Sequence, residues 1–277
     1  MFRSTYNNTV KTLLRARTFW LAVLVFAILV FWNVKATILG EDITLEWPVP
    51  ILYDLAQMVH NQVITIMFYA FPIFTVITVA LVQDHDYGDQ FFEVEKAMNV
   101  KPSQYLAGRI CGLVAVNLTT VAVFGFIRQN INVYLRGGFR DMPMGKYLLT
   151  SSYYLLRLDL LFCLPSLLYY IGIVYLIGAL FRGGKAAAIG GFVHVILYYC
   201  YHRQFRWKYT PKYFNYFCPI PEHLNHFASY AGVKGAEKPM ALFGTTLSDA
   251  LISCGFLTGV FALGMLLSYF IIRRRET

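Results

Sequence analysis

His223 and His226 come closest to a metal site in this chain. They stand three apart in Pro221-Glu222-His223-Leu224-Asn225-His226. That spacing puts two imidazoles on one helical face, where they could hold a metal weakly. The order is not that of a zinc peptidase, and a His-rich interfacial turn is the simpler reading. A nucleotide loop would need G-x-x-x-x-G-K-[ST]. The nearest match runs from Gly178 to Ala186. Its Lys185 is one place late, the hydroxyl residue is missing, and it begins in an apolar helix. No G-x-S-x-G elbow and no CxxC pair occurs. Without an acid, base, nucleophile or metal set, no catalytic residue is assigned and an enzyme is not expected.

Polar residues in or beside long apolar stretches are the other candidates. Arg157 and Asp159 lie near the start of one stretch and Asp249 near the start of another. Charges there are costly, and they pair or face water. Arg157 with Asp249 is one candidate pair, structural or lining a pathway. Asn117 and His194 lie inside apolar stretches and join the pathway candidates. For His194, a packed and hydrogen-bonded side chain is the simpler role. Gly255 and Gly259 form a GxxxG pattern, which permits close helix packing within the chain or between subunits.

What positions these residues follows from composition. Of 277 residues, 57% are apolar, 17% aromatic and only 14% charged. Soluble domains carry roughly 25% charged residues. Mean hydropathy is +0.52. Such a chain is neither disordered, nor a disulfide scaffold, nor an ordinary soluble enzyme. The net charge of +9 does not point to nucleic acid. Most basic residues flank apolar segments, where they meet anionic lipid. Cys111, Cys163 and Cys254 fall inside apolar segments. Cys200 and Cys218 could meet as a disulfide or remain two thiols.

Six apolar blocks are expected to span a bilayer: 18–34, 62–82, 110–127, 160–181, 186–201 and 250–272. A crossing helix needs about 20 residues, so 186–201 is the weakest. Before them, residues 1–17 read as an amphipathic helix. Phe2, Tyr6, Val10, Leu13 and Leu14 recur at spacings of three and four, with Lys11 and Arg15 on a more polar side. Such a helix suits the headgroup plane, and the segment lacks the marks of a cleaved signal. The expected fold is one all-α integral membrane domain over 1–277, with six transmembrane helices behind an interfacial helix.

Six spans put both termini on one side. Lys and Arg divide almost evenly between the two sides. The residues nearest the span ends decide: Arg15 and Arg17 before the first, and Arg273, Arg274 and Arg275 after the last, place the termini in the cytoplasm. Loop 83–104 is then cytoplasmic. The aromatic-rich segment 202–246 is outside.

Loop 83–104 is the most informative stretch. Asp84, Asp86, Asp89, Glu93 and Glu95 are interleaved with Phe91, Phe92, Val94 and Met98. Anionic lipid repels such a segment, so exposed Phe-Phe among acids asks for a protein partner. A short amphipathic helix here fits docking into a groove. Pro102 suits the first turn of the next helix.

The basic amphipathic N-terminus, the six spans and this loop together resemble a permease subunit of an ABC-2 type transporter. The matching residues are Asp86-Tyr87-Gly88, Pro102-Ser103, Tyr105 and Gly108-Arg109. The resemblance makes the N-terminal segment an interfacial elbow helix. It makes the loop a coupling helix that docks on an ATPase, with Asp86, Tyr87, Gly88, Phe91, Phe92, Glu93 and Glu95 as the coupling residues. No nucleotide-binding domain is expected in this chain and no cofactor of its own. ATP and Mg would sit on a partner ABC ATPase, present in two copies. A second permease chain, identical or related, would complete the pathway in the cell membrane. The implied cargo is amphiphilic, a peptide toxin or antimicrobial or a lipid-like compound. An ion-gradient-driven secondary transporter is the alternative. It would show inverted repeats and broken helices. Pro72, Pro165 and Gly190-Gly191 could be breaks, but no matching halves appear.

Overall fold

The computed structural model describes residues 2–39, 70–88, 101–135, 163–205 and 247–274. Among them every regular element is a helix. We number these α1 (Phe2–Arg15), α2 (Arg17–Leu39), α3 (Phe71–Gly88), α4 (Pro102–Leu135), α5 (Cys163–Phe181), α6 (Gly184–Phe205) and α7 (Leu247–Arg274). Three are long and apolar enough to cross a membrane: α5 and parts of α4 and α7. The number is four if the bent α1–α2 pair counts as one span. This is compatible with a multi-pass membrane protein.

The outward faces point the same way. Trp20, Leu21 and Leu24 on α2, Ile189 and Leu197 on α6, and Leu263 and Phe270 on α7 are exposed. Soluble monomers rarely expose apolar area on this scale. Lipid tails are as apolar as Leu, so in a bilayer these faces need no protein cover.

Within the described residues a helix falls in each of the six expected blocks, but only three or four helices are long and apolar enough to cross. The helix at the third block begins at Pro102, as its ring at a first-turn position allows. Loop 83–104 begins as helix, because α3 continues to Gly88. Gln83 and Asp86 are buried there, and their partners in the bundle hold the extra turn.

Helix α1 packs on α4, and α3 packs on α6. The first contact is a knob-and-hole fit. Thr5, Thr9 and Leu13 form the buried face of α1. Gly108 and Gly112 supply the holes: a Cβ there would lie 2.8 Å from Thr5 Cβ and 2.7 Å from Thr9 Cβ. Successive turns meet in the same order, so the two helices run side by side in one direction. At Ala16 the chain bends by 71° into α2. The Trp20 indole N–H donates to Leu14 O at 2.8 Å, satisfying a carbonyl that the last turn of α1 leaves without a helical partner.

Helix α2 is anchored by aromatic rings. Phe26 meets Phe74 and Phe124 at centroid distances of 5.2 and 5.6 Å. Helices α5 and α6 form a hairpin. Arg182 takes the left-handed conformation (φ 55°), and Gly183 N–H reaches back to Gly178 O at 3.2 Å, a Schellman ending. Helix α7 packs on α5 where Gly264 meets the backbone of Gly172.

Candidate functional site

Four helices converge on one buried polar cluster. Its centre is the ion pair of Arg109 on α4 with Asp86 near the end of α3. Both side chains are sealed off, 0% and 2% exposed. Tyr105 lies one turn before Arg109 on the same face, as i and i+4 positions do. Its hydroxyl donates to the other Asp86 oxygen at 2.5 Å. The Tyr105 ring also lies under the guanidinium, 5.3 Å from Cζ to centroid, at cation–π range. From α1, Thr9 Oγ1 accepts from Arg109 Nη1 at 2.9 Å and donates to Thr5 O at 2.9 Å. Tyr175 of α5 adds a buried ring within electrostatic reach of Asp86 and Arg109. One turn before Asp86, Gln83 Nε2 donates to Tyr175 O at 2.8 Å.

Burial pushes the Asp86 carboxyl above the usual carboxylate range. The Arg109 guanidinium, then Tyr105 and then His85, offset part of that rise, and the carboxyl stays above its ordinary value. Removing one partner of such a pair costs about 3–5 kcal/mol, because it strands the other charge. The cluster is therefore a stiff tie among α1, α3, α4 and α5. It can bear load.

The residues that carried the resemblance thus divide. Asp86, Tyr105, Gly108 and Arg109 come together in or against the cluster. Tyr87 is half-buried and Gly88 exposed at the end of α3. Asp86 points inward and is buried. Phe91, Phe92, Glu93, Glu95, Arg157 and Asp159 lie outside the described residues, as do Cys218, His223 and His226. Asp249 falls within α7, but its side chain is outside the description, so the Arg157–Asp249 pairing is too. Among the described residues no group of three His, Cys, Asp or Glu could hold a metal.

Asn117 is fully buried between helices. It donates to Thr78 Oγ1 at 2.9 Å and Leu113 O at 2.8 Å, and accepts from Thr75 Oγ1 at 3.3 Å. It ties α3 to α4 two turns beyond Arg109. His194 pairs with Tyr169 of α5, Nε2 to Oη at 3.1 Å. Tyr170 packs edge-on to its ring at 6.1 Å. Gly255 and Gly259 have nothing within 4 Å of the position a Cβ would take. Among the described residues nothing covers their face of α7.

Sequence reasoning missed Thr5, Thr9, Gln83, Tyr175 and Gly112. One signal was present. Thr5 and Thr9 share the spacing of Gly108 and Gly112, small residues one turn apart on each helix.

No family model matches the chain, and no curated protein matches it.

Proposed function

We propose that this chain is the membrane-spanning permease of an ATP-driven exporter, worked by a separate ATPase. In this reading it has six spans, with both termini in the cytoplasm of the cell that exports. Two permeases pair around a pathway for an amphiphilic cargo, a peptide or a lipid-like compound. The observation that carries the reading is the Asp86–Arg109–Tyr105–Thr9 cluster. It sits where the acidic, Phe-bearing segment 89–100 joins α3, and it binds that end of α3 to α1 and α4.

A push on the segment after Gly88 then does not bend one helix alone. The buried pair resists separation, so the ends of α1, α3 and α4 move together. Phe91, Phe92, Glu93 and Glu95 are the docking residues in this account. Asp86 and Arg109 transmit. Nucleotide binding can shift the permease only if the ATPase binds its inward-open and outward-open states with different affinity. ATP and Mg belong to that partner.

The test is a photoreactive residue placed at Phe91 or Phe92 and activated in native membranes. An adduct with a nucleotide-binding subunit is the expected result. Adducts with lipid alone would contradict the reading.

A further inference from the structure

We infer that the notch made by the α1–α2 bend is a seat for one acyl chain of an anionic phospholipid. The inference needs only insertion in a bilayer and stands apart from the transport reading. The notch is a cavity of about 430 Å³ walled by Tyr6, Val10 and Leu14 of α1, Trp20 of α2, and Thr119 and Val123 of α4. That volume lies in the range of small-molecule sites.

The chemistry of the walls selects hydrocarbon. Two polar groups of the wall are engaged, the Trp20 N–H with Leu14 O and the Thr120 hydroxyl with Val116 O at 2.8 Å; the Tyr6 and Thr119 hydroxyls are the others, on a wall otherwise of Val, Leu, Ala and Phe side chains. A ligand that must hydrogen-bond finds little to hold. The exposed residues next in sequence to the lining are basic. Lys11 follows Val10, Arg15 follows Leu14, and Arg17 opens α2; all three are exposed. Residues 1–40 contain no acid to offset them. A phosphate headgroup at this rim, with one tail in the notch, satisfies both features. Cations near a bilayer surface draw anionic lipid.

The test uses the full chain reconstituted in vesicles of equal parts phosphatidylcholine and phosphatidylglycerol. It is released gently and weighed by native mass spectrometry. Wild type should retain phosphatidylglycerol over phosphatidylcholine by about tenfold. Lys11→Gln, Arg15→Gln and Arg17→Gln together should return that ratio to the vesicle's. Thr119→Phe and Val123→Phe each fill the notch from an exposed wall and should lose the retained lipid. Two such variants guard against one failing to fold. Retention by wild type in the vesicle ratio would overturn the inference. So would full retention in the Phe variant that folds.

Discussion

At the scale of single residues, Arg109 and Asp86 dominate. Arg109→Ala strands a buried carboxylate and should cost about 3–5 kcal/mol, read by equilibrium unfolding in mixed micelles. Asp86→Asn combined with Arg109→Gln removes both charges and should cost less than the two single changes added together. Strict additivity would mean that the two groups do not act as a pair. Part of this was readable beforehand. Asp86, Tyr105 and Arg109 stood together among the residues that carried the resemblance, but Arg109 lay just ahead of the apolar block 110–127, so its burial was not legible. Sequence could not name its partner. Asp86 is one of five neighbouring acids, and only the inward turn of α3 singles it out. The pair weighed from sequence, Arg157 with Asp249, rested on similar depth along two apolar blocks and had no contact to draw on.

At the scale of elements, the helices were legible because apolar runs near 20 residues leave the backbone no alternative in lipid. Their ends were not, since polar residues such as Gln83 extend a helix when partners wait in the bundle. The elbow's buried face was also hidden. Hydrophobic spacing picked out Phe2, Tyr6, Val10, Leu13 and Leu14. Of these only Leu13 is fully buried, while Thr5 and Thr9 fill the glycine holes. Gly112→Val should therefore overpack the α1–α4 contact at a cost of about 1–3 kcal/mol. Tryptic cleavage after Arg15 and Arg17 should speed up as α1 undocks; unchanged cleavage would mean that the contact is loose. Arg182→Gly should have the opposite sign. It relieves a left-handed non-glycine residue and should raise stability by about 1 kcal/mol, seen as a higher melting temperature in detergent.

At the scale of the whole molecule, one bundle carries three kinds of surface. Its interior is tied by the Arg109 and Asn117 networks. Its outer faces are apolar and suit lipid. Among the described residues nothing covers the strip of α7 at Gly255 and Gly259. The account gives that strip to a second permease. Gly255→Leu with Gly259→Leu should leave the isolated chain's stability within about 0.5 kcal/mol. It should shift the protein from dimer to monomer in mild detergent. A dimer that survives would place the pairing face elsewhere.

The most direct measurement is purification of the tagged chain from its native membrane in mild detergent, with ATP hydrolysis assayed on what comes with it. The account predicts a bound, vanadate-sensitive ATPase that is lost when Phe91→Asp and Phe92→Asp are introduced. A stable, folded chain that carries no ATPase, and moves solute only when an ion gradient is imposed, would contradict it.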